Sequence, residues 1–280
     1  MPYTAEISRN DPACFLFLID QSGSMNDPWG RGTAQKKADG LADIVNRLLQ
    51  EVVLRCAKAE GVRDYFHVGV IGYGAHVGPA FGGSLSGHEL VPISQVADAP
   101  ASIEERAKKV EDGAGGLVEQ KVRFPVWFNP VGNGGTPMRQ AFSMATNTVR
   151  QFLAQHPDCF PPIVIHLTDG ESTDGDPGDL MRELTSLNSS DGNVLLFNYH
   201  ISSSDGGQIA FPHSLEQLPG DPYARMLFDG ASELTNFMRD VAKQEHNLDL
   251  PLGAKGYVFN ADSVLVIQAL DIGTRVSNLR

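Results

Sequence analysis

The sequence has few cysteines, no basic run and no long apolar stretch, and each lack excludes something. Cysteine occurs 3 times in 280 residues, as Cys14, Cys56 and Cys159, inside or beside apolar runs. No CxxC pair is present, so zinc-ribbon and dithiol redox chemistry have no support, and buried free thiols are expected. Lys plus Arg number 22 against 34 Asp plus Glu, a formal net charge of -12. A chain of that sign without a Lys/Arg cluster is a poor ligand for nucleic acid or an anionic membrane, and neither is expected as a partner. No apolar stretch approaches the about 20 residues of a membrane span. The segment from Met1 to Pro12 is polar, with no basic start and no apolar signal core, and a cytoplasmic location is expected on that ground. There is also no GxxxxGK[ST] phosphate loop, and no HExxH among the 8 histidines, so neither phosphate cradling nor zinc hydrolysis has its usual sequence carrier.

What is present is an ordinary globular balance, 41% hydrophobic and 20% charged residues, enough to bury a substantial core. Cys14-Phe15-Leu16-Phe17-Leu18-Ile19 is a continuous apolar run ending at Asp20, the pattern of a parallel strand covered on both faces. Lys36 to Lys58 places Leu41, Ile44, Val45, Leu48, Leu49, Val52 and Val53 at helical spacing. His67 to Tyr73, Ile163 to Leu167 and Val194 to His200 read as further strands. The stretch from Thr136 to Leu153 reads as a helix with Pro137 in its first turn, and Asp179 to Leu187 and Ser232 to Glu245 read as helices. Ser102 to Val110 is a charged helix candidate, and Val264 to Ile267 a late strand candidate. Strands alternating with helices in this order predict an α/β fold, a doubly wound, mainly parallel sheet with helices on both faces. The expected organisation is an N-terminal segment over 1–12, one domain over 13–246 carrying an insertion at 74–130, and a C-terminal extension over 247–280 packed on or beside that domain.

Asp20-Gln21-Ser22-Gly23-Ser24 directly follows a buried strand and so falls at the carboxyl edge of the sheet, where doubly wound folds place ligands. A carboxylate and two hydroxyls on alternate residues of a tight turn can aim their oxygens at one small hard cation. Gly134-Gly135-Thr136 supplies a hydroxyl at a helix start, and Thr168-Asp169-Gly170 a carboxylate at a strand end, both on the same edge. Asp20 and Ser22 alone fit a turn or helix cap. That reading leaves Thr136 and Asp169 unexplained.

The DxSxS, Thr and Asp elements in this order resemble the metal-ion-dependent adhesion site (MIDAS) of the von Willebrand factor A (VWA) family, a resemblance spanning Ala13 to Gln244. It implies that Ser22 and Ser24 contact a divalent cation directly, that Asp20 and Asp169 bind it directly or through water, and that Thr136 joins or leaves with the state of the site. The cation implied is Mg²⁺, with Mn²⁺ and Ca²⁺ as alternatives, and an open coordination position would take an Asp or Glu from a protein partner. Thr168 to Gly175 looks like the second-Asp segment of bacterial intracellular members associated with tellurite resistance. The implied role is a non-enzymatic scaffold beside kinases, phosphatases or AAA ATPases. Two other functions remain open: a Mg²⁺-dependent phosphohydrolase or phosphotransferase, since such enzymes also hold Asp and Mg²⁺ at this edge, and a structural subunit whose metal only steadies loops.

Asp174, Asp176 and Asp179 fall short of a calcium loop because Pro177 breaks the spacing, and they read as a solvated acidic turn. His166, inside a strand, reads as a satisfied core histidine. Trp29, Trp127 and Phe128 fit either partner contact or packing.

Overall fold

A computed structural model describes residues 2–30, 33–111, 117–202 and 207–276. The sheet is built from β1 (Ala13–Asp20), β2 (Phe66–Tyr73), β3 (Val77–Pro79) and β4 (Val91–Pro92). Beyond them the chain runs through an antiparallel ribbon, β5 (Ser102–Glu111) and β6 (Leu117–Val126), before returning to the sheet as β7 (Ile163–Thr168), β8 (Leu195–Ile201), β9 (Ile209–Ala210) and β10 (Tyr257–Ala261). The order across the sheet is β9-β10-β8-β7-β1-β2-β3, with β4 also on β2. Within this sheet the five longest strands run parallel, and β3, β4 and β9 pair antiparallel. The doubly wound, mainly parallel reading therefore holds.

Helices cover both faces. α1 (Lys37–Cys56), α2 (Ile93–Asp98), α6 (Asn236–His246) and α7 (Ser263–Gly273) pack on the face that receives Phe15, Phe17 and Ile19 of β1. α3 (Met138–Gln155), α4 (Gly178–Ser186) and α5 (Pro222–Gly230) pack on the other, against Leu16 and Leu18. This is why β1 reads as a continuous apolar run: alternate residues enter two different cores. All three cysteines are buried and free.

Several expectations change. Ser102 to Val110 is a strand, because its residues pair with β6 in register from Ser102↔Val126 to Glu111↔Leu117. Charge on a two-stranded ribbon mimics a helical surface, and both partners must be seen at once to tell them apart. Pro137 sits at the N-cap of α3 and not inside its first turn. Val264 to Ile267 lies in α7, whose N-cap Asp262 accepts a hydrogen bond from Leu265 N. The late strand is instead Tyr257–Ala261, parallel to β8. Within the segment expected as a C-terminal extension packed on or beside the domain, Tyr257–Ala261 is thus a strand of the sheet.

Candidate metal centre

The chain leaves β1 toward β2 on one side, and after β2 it returns to β7 on the other. Neighbouring crossovers diverge at the carboxyl ends of β1 and β7 and open a crevice there. Register sets the two strand ends level, Ile19 beside Leu167. Asp20, the last residue of β1, and Asp169, the first after β7, are thereby brought to the same crevice.

Asp20 is 1% exposed. Its Oδ1 accepts from Ser22 N at 2.8 Å and its Oδ2 from Thr168 Oγ1 at 2.8 Å. Ser24 Oγ donates to Asp169 Oδ1 at 2.8 Å, and Ser22 Oγ lies 2.9 Å from Ser24 Oγ. Because Ser24 spends its proton on Asp169, Ser22 is the donor of that pair. Four of the five expected residues therefore form one hydrogen-bonded set, Asp20 joined to it through the Ser22 amide. Thr136, also buried, stands on the loop that closes a further side. Gly23 N donates to Gly134 O at 3.0 Å, Asn133 N to Gln21 O at 2.7 Å, and Ala75 N to Asn133 O at 2.8 Å. The approach is so close that two positions require glycine. A Cβ on Gly74 would fall 2.5 Å from Gln21 O, and Gly134 has φ +81° with a Cβ 2.5 Å from Ala75 N.

The loop after β7 is clamped to the Thr136 loop. Thr136 N donates to Thr173 Oγ1 and Thr173 N to Thr136 O, both at 2.9 Å. Asp174 caps α3 from a distance, accepting from Arg139 N at 3.0 Å and Gln140 N at 3.1 Å. The Arg139 guanidinium pairs with Asp179, its Nη2 at 3.0 Å from Oδ2. The acidic turn read as merely solvated is thus a fastening between two site loops. Replacing Asp174 by alanine removes a helix cap, so a loss of about 1 kcal/mol is expected. The divalent-cation affinity should weaken severalfold in the same variant; calorimetry showing unchanged affinity would reduce Asp174 to an ordinary cap.

One cation already stands in the crevice. Lys37, at the start of α1, places Nζ 2.8 Å from Asp169 Oδ2, with side-chain exposures of 7% and 0%. Nothing in the sequence marks Lys37, since a lysine at a helix start reads as surface. Thr168, Thr173 and Asp174 were visible only as neighbours of Asp169. The two buried carboxylates still outnumber this one ammonium. Burial above all, with the Asp169 charge adding, pushes the Asp20 carboxyl up to about 6, against the hydrogen bonds from Ser22 and Thr168 that lower it. Surplus negative charge among hard oxygens suits a hard divalent cation and not a soft metal. The residues present fit the cation that the sequence resemblance implies.

Trp29 and Trp127 are packed. Their Nε1 groups donate to Ala261 O and Val96 O, and Phe128 is buried with them. Among the described residues, no helix is long and apolar enough to cross a membrane.

No family model and no curated protein sequence matches the chain. Among solved structures it is similar to three N-terminal domains of the type V pili tip protein Mfa5 from Porphyromonas gingivalis, at 14% identity and TM-score 0.32, over 58% of this chain and 20% of that one. It is likewise similar to the vWF domain of Mfa5, at 15% identity and TM-score 0.31, over 58% and 39% of the two chains. A further similarity is to the pilus adhesin RrgA from Streptococcus pneumoniae, at 14% identity and TM-score 0.32, over 60% and 22%. The matches thus span well under half of each neighbour's length. The fold stands on the sheet order and crossovers described above.

Proposed function

We propose that this chain is a metal-dependent protein interaction module of the von Willebrand factor A type, with Asp20, Ser22, Ser24, Thr136 and Asp169 holding one divalent cation, Mg²⁺ first among candidates. The observation that carries this reading is the hydrogen-bonded set of Asp20, Ser22, Ser24 and Asp169 at the switch point of the sheet. When bound, the cation would supply an incompletely filled shell of hard character, attractive to an Asp or Glu side chain of a partner. The chain's own residues do the rest. Asp20 and Asp169 provide charge, and the three hydroxyls provide neutral oxygens. The Gly74, Gly134 and Thr173 contacts hold the loops at fixed spacing. A scaffold in a bacterial stress or signalling assembly is the role the sequence resemblance supports.

The test is calorimetry of Mg²⁺ and Mn²⁺ against wild type and Asp20→Ala, followed by partner capture with each protein, with and without EDTA. Binding and capture lost together on mutation or chelation support the adhesion-type reading. Metal binding that capture ignores would move the partner surface elsewhere and leave the metal a loop stabiliser.

A further inference from the structure

The Lys37–Asp169 pair is unusual for a cation site. An ammonium buried at the mouth of a divalent-ion centre opposes the ion it adjoins, and a site selected only to hold metal would omit it. Its geometry is nonetheless built in. Lys37 is the first residue of α1, and its backbone N donates to Asp27 O at 3.0 Å. Its Nζ reaches Asp169 Oδ2 at 2.8 Å and lies 4.0 Å from the exposed Asp27 carboxylate. Asp169 divides its two oxygens, Oδ1 to the ligand Ser24 and Oδ2 to Lys37. The ammonium therefore sits on the far oxygen of the carboxylate and leaves the near one facing the hydroxyl set.

Resting on the metal reading above, we infer that Lys37 is a charge-setting residue that trades metal affinity for affinity toward an acidic ligand. Among the buried groups Asp20 and Asp169 carry two negative charges and Lys37 one positive, while the Asp27 carboxylate, 64% exposed, is screened by solvent; the buried part of the bare site thus holds one net negative charge. A divalent cation makes it net positive by one, and a single incoming carboxylate brings it to neutrality. Without Lys37 the metal-loaded site would already be neutral and would gain less from a carboxylate. Opposite charges that close to balance on partly buried groups are favoured, and like charges left over are not. Lys37 thus selects monoanionic acidic side chains as the partner group and keeps the metal exchangeable until that group arrives.

The experiment compares wild type with Lys37→Met and Lys37→Arg. Mn²⁺ affinity is read by calorimetry, and acetate, as the carboxylate probe, by paramagnetic broadening of its methyl resonance on the Mn²⁺-loaded protein. Lys37→Met should bind Mn²⁺ about tenfold more tightly, or better, and acetate several times more weakly, while Lys37→Arg follows wild type. Lys37→Gln, which keeps a polar contact to Asp169, repeats the comparison should the methionine variant not fold. Mn²⁺ affinity unchanged or weakened in a folded, charge-free variant overturns this inference alone. A wild-type protein that binds neither Mg²⁺ nor Mn²⁺ overturns the metal reading and this inference with it.

Discussion

Mg²⁺ at a hundred times its dissociation constant will raise the melting temperature of the wild-type chain by about 5–10 °C and leave that of Asp20→Ala where it was. Binding to the folded state alone at that concentration is worth about 2.7 kcal/mol. Each kcal/mol moves the midpoint about 2–4 °C in a chain of about this size. Differential scanning fluorimetry in Mg²⁺ and in EDTA measures both arms, and an equal Mg²⁺ response in the two proteins would sink the site assignment.

Asp20 also fixes the pH dependence of this effect. A cation needs the carboxylate, so the Mg²⁺ response is full above the raised pKa of about 6 and shrinks as pH falls through it. Without metal the sign reverses. A carboxyl whose folded pKa lies above its unfolded one adds stability at pH below about 4, and that contribution is lost as pH rises through about 6. The shift, from 3.8 to about 6, corresponds to about 3 kcal/mol. In EDTA, Asp20→Asn should therefore gain on wild type by about that amount between pH 4 and 7. A difference that stays flat across that range would show that Asp20 is not strained by its charge in the folded protein.

The strands were legible because they follow from local pattern, and the DxSxS, Thr and Asp elements because each stands at the end of such a strand or the start of a helix, in an order that resembles a known family. A strand buried on two faces must be continuously apolar, and a polar group at the carboxyl edge must sit where that run stops, as Asp20 does after Ile19. The same local logic fails where pairing is remote. Ser102–Glu111 becomes a strand only through Leu117–Val126, and its polar composition gives no period to distinguish it from an exposed helix. Val264 to Ile267 is β-branched and apolar, a strand by propensity. It becomes a helix because Asp262 caps it and its buried side, Leu265, Val266 and Ala269, meets the core. Lys37 was invisible for a different reason. Its burial is decided by a carboxylate 132 residues away, and no window of sequence contains both.

Lowering the pH from 6.5 to 4 will destabilise the wild-type chain by about 3 kcal/mol through His166 alone, and His166→Leu will remove that part of the slope. His166 is fully buried in β7. Asn198 Nδ2 already donates to Leu227 O, so Asn198 Oδ1 must accept, and it lies 2.9 Å from His166 Nδ1. The proton therefore sits on Nδ1, and the bare Nε2 accepts from the Tyr73 hydroxyl at 2.6 Å. Adding a second proton would force the Tyr73 hydroxyl to turn to Leu167 O, 3.4 Å away, and place a charge in the core, and burial lowers the pKa from 6.5 to about 4. A histidine with a depressed folded pKa contributes stability that is present above its unfolded pKa of 6.5 and lost as pH falls to about 4. The shift of 2.5 is worth about 3 kcal/mol. His200, lowered to about 4 by burial, pulls in the same direction. Asp20 opposes both, but equally in the two proteins, so the difference between them isolates His166. At pH 7.5 His166→Leu should itself be less stable by about 1–3 kcal/mol, because Asn198 Oδ1 loses its donor and the Tyr73 hydroxyl keeps only Leu167 O, at 3.4 Å. Urea unfolding in EDTA at pH 4, 5, 6.5 and 7.5 gives both quantities. Parallel pH curves for the two proteins would mean that His166 takes up its proton without leaving the core, and that the Tyr73–His166–Asn198 chain beneath the crevice does not set the acid limit of the fold.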